Sequence, residues 1–427
     1  MSDKLNANRN IAVIGGGVAG ITAAHVLSRK HNVTLFEKSS RLGGHAHSVE
    51  IQNGIDPAFF LDIAFLIFNR VSYPGFQKLI RQLRVETRAA RTDMSFSFSD
   101  EALSLEFAVS STWRALFSQP GNVFSPKFLR LLLDIRRFRK HTRCDQLPDS
   151  ARTGSLGEFL EKEGYSALFR ECFLIPYAAS LWSLPTLDAR DLPAELLLKL
   201  LIQHRTAKIE KGGYWQTMHG GSIQYVRSFQ SAFRGKLWLD ADVVQVLPGS
   251  TGVLVRGSSR DFGQFDEVIL ATPANQSLKL IPSPTPRQTK CLSPWSYKKN
   301  RICLHTDAGF MPRARSAWSS WNVKTLKNDV GQKYQVTYYL NRLQNPPTSF
   351  DYFVTLDPGT MAADRIVFET EMAHPIFTRE ATAIQSELPY LNQDGPIYFC
   401  GAYFGDGFHE DALQSALSVC ARFGLEL

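Results

Sequence analysis

Apolar residues come in short runs at the start of the chain. Ile11 to Ile14 is an unbroken apolar run between turn residues, the pattern of a parallel strand buried on both faces. Helical spacing follows from Ala19 to Arg29, and Asn32 to Phe36 reads as a second strand. Strand patterning returns far downstream, at Leu237–Leu239, Val243–Val246, Gly252–Val255 and the run from Phe265 to Pro273. Between these regions, 128–143, 156–162 and 192–204 carry helical periodicity, while 335–340 and 353–356 read as strands. Near the end, Pro396 to Cys400 is another apolar strand. From Asp411 onward, Leu413, Ala416, Leu417, Val419 and Cys420 predict an amphipathic helix.

The first strand runs into Gly15, Gly17 and Gly20 at GxGxxG spacing. The first glycine allows a tight turn, the second lets backbone approach a pyrophosphate, and the third lets helix pack closely on strand. Val18 and Ala19 open a helix whose free N–H groups and positive dipole end suit phosphate. Glu37 ends the second strand, 17 residues past Gly20, where a carboxylate meets a ribose hydroxyl. Strand, glycines, helix, strand and acid in this order predict a dinucleotide site, with Lys38 beside it. Arg41-Leu42-Gly43-Gly44 then follows within one short loop. A second glycine pair so close to the first implies backbone wrapped around a longer ligand, and favours FAD over NAD.

A chain of 427 residues predicts two domains or one domain with large insertions. The net charge of +8 permits an anionic partner without demanding one. The six cysteines form no CxxC and no zinc spacing, so reduced, mostly buried thiols are expected. The polar start MSDKLNANRN has no apolar h-region, and no apolar run is long enough to span a membrane, so the chain reads as cytoplasmic. Its basic residues belong to no recognised nucleic-acid module. The basic amphipathic stretch 128–143 reads either as a packed helix with a solvated face or as a peripheral contact for an anionic membrane or an acyl carrier protein. No oligomeric state can be read.

Arg41-Leu42-Gly43-Gly44 resembles the RxGG signature of the flavoprotein superfamily that contains amine oxidases, phytoene desaturases and protoporphyrinogen oxidase. Asp266 to Pro273 resembles its DxVIxATP strand. The resemblance implies an α/β fold: a Rossmann-type FAD-binding domain of glutathione-reductase-like, amine-oxidase type, with a discontinuous α+β substrate domain. The FAD domain would comprise 1–74, 205–279 and 393–427. The substrate domain would comprise a helical part, 75–204, and a β-rich part, 280–392. Val243 and Val244 would meet the adenine, Ala271 would line the cofactor, and Gly401, Asp411 and Ala412 would face the flavin at a helix N-terminus.

Longer segments, among them SLGEFLEKEGYSALFRECFLIPYAASLWS, MHGGSIQYV, KKNRICLHTD and GAYFGDGFHED, resemble a bacterial FAD-dependent oxidoreductase family. That family is similar to the N-terminal flavin-binding region of plant cyclopropane fatty acid synthases. Ala64, Ala412 and Ala416 stand where it tends to have glycine, either as tolerated drift or as a remodelled flavin or substrate face. The resemblance implies a desaturase, dehydrogenase or oxidase acting on an apolar fatty acyl or polyketide-like chain, free or carrier-linked. An amine oxidase, an FAD-dependent isomerase and a flavin-bearing accessory partner of a lipid-modifying enzyme are the other readings.

His409 and Glu410, in the FGDGFHED loop, are the first catalytic candidates, with a helix-capping pair as the alternative. His45 is the third, also near the cofactor. His45 and His47, two apart on an expected strand, would share a face, yet no carboxylate or thiol motif makes them a metal site. Tyr177, Trp182 and Trp215 are core or an apolar substrate wall. Lys298 and Lys299 are compared with the lysine some amine oxidases place near flavin, and surface charge is the plainer reading.

Overall fold

Five parallel strands make the first layer: β1 (Asn10–Ile14), β2 (Asn32–Phe36), β3 (Lys236–Trp238), β4 (Glu267–Leu270) and β5 (Ile397–Phe399), side by side in the order β3-β2-β1-β4-β5. Ile11 lies opposite Val33 on one side and Glu267 on the other. The computed structural model describes residues 8–90, 94–110, 113–141, 147–184, 186–206, 215–328, 331–393 and 395–427. The parallel sheet therefore draws its strands from three stretches far apart in the chain. The cores of β1, β2 and β4 are buried on both faces, as their continuous apolar runs require, while β3 at the sheet edge keeps Lys236 and Trp238 exposed.

The helices include α1 (Val18–Leu27), α2 (Pro74–Gln82), α3 (Pro126–His141), α4 (Ile223–Ala232) and α5 (His409–Ala421). α5 packs on both α1 and α2. Ala23, Ala24, Ala412 and Ala416 are buried in one core with Ile21, Leu413 and Val419. Ala412 and Ala416 lie four residues apart on the buried side of α5, so their methyl groups fill packing space. An antiparallel meander, Val243–Gly249, Gly252–Gly257 and Asp261–Phe265, connects β3 to β4.

The second layer is a seven-stranded sheet in the order Ile366–Ile376, Ser296–His305, Phe353–Leu356, Gly331–Tyr339, Trp321–Asn328, Phe96–Asp100 and Leu105–Val109. Its last two strands come from the stretch expected to be helix-rich. In FSFSD both faces are buried, and Ser97 satisfies its hydroxyl inside the protein by donating to Asn322 Oδ1 at 2.7 Å. Polar positions normally mark a solvent face, and here they do not. Helices from the same stretch, including Leu156–Lys162 and Ala194–Thr206, do form. Ser155 and Glu158 close a capping box at the start of the first of these.

Cys172, Cys291, Cys303, Cys400 and Cys420 are free and buried, and Cys144 lies outside the described residues. Among the described residues, no helix is long and apolar enough to cross a membrane.

Candidate active site

Four of the predicted cofactor residues stand at the carboxyl edge of the parallel sheet, where ligands of such folds bind. Gly15 follows β1, Glu37 follows β2, Ala271 follows β4, and Gly401 lies two residues beyond β5. The three fingerprint glycines answer to three different constraints. Gly15 has φ +106°, a backbone conformation that disfavours any side chain, and its N–H donates to Phe36 O at 2.8 Å. A Cβ on Gly20 would lie 1.8 Å from Gly15 O, so only glycine lets α1 sit this close to the turn. A Cβ on Gly17 would meet nothing within 4 Å among the described residues. Gly17 is also the N-cap of α1, and among the described residues no side chain caps that end. An open cradle over an uncapped helix N-terminus fits a pyrophosphate.

The second glycine pair packs on this cradle. Gly43 N–H donates to Gly16 O at 2.8 Å, and a Cβ on Gly44 would come within 3.2 Å of Gly17 Cα. Gly43 and Gly44 have φ +109° and +57°. The Arg41 guanidinium holds the turn by donating to Leu42 O, Ala46 O and Gly44 O at 3.3, 3.4 and 3.0 Å. Glu37 accepts from Gly16 N–H at 2.6 Å and from Ser39 N–H at 2.8 Å, which keeps its carboxylate at the rim of the cradle. Its backbone carbonyl accepts from Ala241 N–H, whose own carbonyl accepts from Val243 N–H. Val243 thereby stands beside the Glu37 end, with Val244 exposed next to it. Lys38 pairs with Asp242 at the surface, 3.1 Å away. These residues fit an FAD dinucleotide.

Beyond the Gly43–Gly44 turn the chain meets the second sheet. Gly44 and His45 keep exposed surface, yet surrounding protein desolvates the His45 imidazole and lowers its pKa against a hydrogen bond to the Ala373 backbone. Accessible surface combined with desolvation marks the wall of an internal cleft. His374, on the strand Ile366–Ile376, faces His45 with ring centres 5.2 Å apart, and burial pushes its pKa down to about 3. Asn300 Nδ2 donates to Ser183 O at 2.7 Å and to His374 Nδ1 at 3.0 Å. The carbonyl partner fixes the amide orientation, so His374 Nδ1 accepts and the proton of the neutral ring sits on Nε2. Sequence reasoning missed His374 and Asn300, since one histidine and one asparagine on long strands carry no local signal.

His409 opens α5, two residues earlier than the sequence pattern predicts. Its ring stacks on Phe65 at 3.8 Å and 9°, meets Phe76 edge-on, and has Nε2 3.2 Å from Tyr225 OH. Burial pushes its pKa down to about 3, so it is neutral near pH 7. Glu410 turns the other way. Its carboxylate accepts from Gly75 N–H (2.8 Å), Phe76 N–H (2.9 Å) and Gln414 Nε2 (2.6 Å). It caps α2, which has no cap of its own among the described residues, so the geometry gives Glu410 the capping role. Asp411 caps its own helix by accepting from Phe408 N–H at 2.8 Å, and burial lifts its pKa to about 7.

His45 and His47 do not share a strand face. Both precede the strand Ser48–Ile51, and His47 turns to Phe368, with ring centres 5.2 Å apart. Among the described residues no His/Cys/Asp/Glu group could hold a metal ion. Lys299 points to the surface, 3.6 Å from Glu371, and Lys298 is half-buried. Trp182 Nε1 donates to Asp406 O at 2.9 Å, which ties the helix Ile175–Trp182 to the loop before α5. Tyr177 packs edge-on against Phe96, and Trp215 lies in the short strand Trp215–Met218.

A further buried node was not anticipated. Asp62 accepts from Ser222 N–H, Ser222 Oγ and Ser48 Oγ at 2.8, 2.6 and 2.5 Å, and its backbone exchanges two bonds with the Gln344 amide. Burial raises its pKa to about 6 despite these donors. A lone acid in the apolar stretch Leu61-Asp62-Ile63 was the available signal.

Comparison with known proteins matches residues 18–349 to the family described as flavin containing amine oxidoreductase. An L-amino-acid oxidase of Pseudechis australis is 20% identical over 98% of this chain and 87% of its own length. Among solved structures, cyclohexylamine oxidase from Brevibacterium oxydans IH-35A superposes with a TM-score of 0.69, at 12% identity over 98% of this chain and 99% of that one. The CLA-producing fatty acid isomerase from P. acnes gives 0.66, at 12% identity over 97% and 98%.

Proposed function

The chain belongs to the flavin-containing amine oxidoreductase family, and from that premise we propose that it oxidises an uncharged, apolar substrate of the fatty acyl or polyketide-like class. It is an FAD-dependent oxidoreductase. When bound, FAD supplies the hydride acceptor.

The observation that carries the substrate reading is the aromatic packing around the cleft histidines, where Phe65 stacks on His409 at 3.8 Å and Phe76 meets it edge-on. Burial lowers the pKa of His45, His374 and His409, and the same surroundings raise those of Asp411 and Asp406. A setting that resists charge of either sign is a low-dielectric one. An ammonium substrate would meet the same penalty, and a hydrocarbon chain would not. The resemblance of GAYFGDGFHED and KKNRICLHTD to a family similar to the flavin-binding region of plant cyclopropane fatty acid synthases supports an acyl substrate. The chain's own groups would then orient the substrate. Neutral His409, bonded to Tyr225, and neutral His374, with its proton held on Nε2 by Asn300, act as hydrogen-bonding groups rather than as cations.

The experiment is an anaerobic titration of the visible flavin band with free acyl chains, carrier-linked acyl chains and amines. Bleaching by acyl compounds supports the proposal. Bleaching by amines alone sinks it in favour of amine oxidation, the reading that the family description favours. Oxygen-independent turnover of an acyl chain with no net change in its oxidation state would instead make the protein an isomerase.

A further inference from the structure

α3 is firmly docked on one side and open on the other. Phe128, Leu131, Asp134, Ile135 and Phe138 form its buried face. Asp134 accepts from Ser166 N–H at 3.0 Å, and Arg137 donates to Glu163 O at 2.7 Å while covering the Tyr165 ring. The opposite face carries Leu129 and Leu133, 47% and 61% exposed, one turn apart. Arg136 and Lys140 continue the same stripe, with Lys127 beside it, all exposed, while Arg130 pairs with Asp134 at 3.5 Å. The helix's one acid, Asp134, is buried. Just before its N-terminus stand Val123, 44% exposed, and Phe124, 87% exposed.

A solvated surface helix would keep its leucines inward, and a site built only for nucleic acid or an acidic protein has no use for Phe124. We propose that α3 and the turn before it form a peripheral docking surface for an anionic lipid bilayer. Phe124, Leu129 and Leu133 enter the boundary between headgroups and acyl chains, while the neighbouring lysine and arginine side chains reach outward to lipid phosphates. The helix lies flat, because its inner face is fixed to the protein along its length. Charge complementarity and interspersed apolar side chains together favour lipid over an acidic acyl carrier protein. The inference does not depend on the substrate proposed above.

The test is flotation of the full-length, flavin-loaded protein with phosphatidylcholine vesicles and with phosphatidylcholine–phosphatidylglycerol vesicles. Binding only to the anionic vesicles, weakened by salt, is expected. Each basic residue near such a surface is worth about fivefold in partitioning, so R136E with K140E should lower it by about 25-fold or more. Phe124→Ser with Leu133→Ser should also lower it, at an unchanged flavin spectrum and melting temperature. Equal recovery of wild type and the charge-reversed variant would overturn the proposal. So would no vesicle binding alongside tight binding to an acidic acyl carrier protein.

Discussion

Two glycines three residues apart should respond oppositely to the same added methyl group. Gly17→Ala places its Cβ in open space at φ −75°, so the fold should be unaffected while the phosphate cradle is filled. Flavin affinity should fall about tenfold or more, the loss of one charge-assisted hydrogen bond, at an unchanged melting temperature. Gly20→Ala collides with Gly15 O and should cost about 3 kcal/mol of stability before any question of flavin arises. Measuring flavin retention and thermal unfolding on both variants separates the roles; equal behaviour would contradict them. The fingerprint was legible because turn, helix start and acid lie within one short stretch, where spacing is geometry. His374, Asn300, Tyr225 and Asp62 were not, because their partners are brought in by strands and helices from other parts of the chain. Glu410 shows the opposite hazard: a polar residue in a suggestive motif whose carboxylate is already committed to a helix end 335 residues away.

For elements, that long-range cap makes a direct forecast. Glu410→Ala leaves two buried N–H groups of α2 without their acceptor and should destabilise the protein by about 2–4 kcal/mol. Glu410→Gln should recover part of that, and neither should change the rate at which bound flavin is reduced by a substrate that bleaches the wild type. A large drop in that rate at full stability would restore a catalytic role to Glu410. The helix 156–162, with one wet face, and the mostly apolar strands 32–36 and 353–356 were readable from the run of apolar positions, and all three form with the expected bounds. The strand Phe96–Asp100 was not, since Ser97 is buried and bonded internally, so the alternation that should report solvent reports only packing.

The whole molecule holds several histidines in neutral form. Burial pushes His409 and His374 down to about 3, and His47 and His305 to about 4, from an ordinary 6.5. Their folded-state pKa values are depressed, so the stability they contribute is present above pH 6.5 and is lost as pH falls toward 4, where the unfolded chain takes up protons the native state refuses. Asp62 and Asp411, raised to about 6 and about 7, act in the opposite sense together with Asp406 and Glu267, but burial lowers His25, His31 and His45 as well, so the histidines outnumber the acids. Melting temperatures should therefore decline between pH 6 and 4, and a flat profile there would contradict the neutral-histidine cleft. The order of strands in the parallel sheet has a consequence for synthesis. β5 begins 387 residues after β1, from residue 10 to residue 397, and α5 follows it. As the chain leaves the ribosome, β1, α1 and β2 emerge with their glycines well before β4, β5 and the α5 wall that complete the nucleotide cleft. A complete cleft therefore exists only once β5 and α5 are made, and until then the nascent chain must keep half-built, apolar strand edges from neighbours.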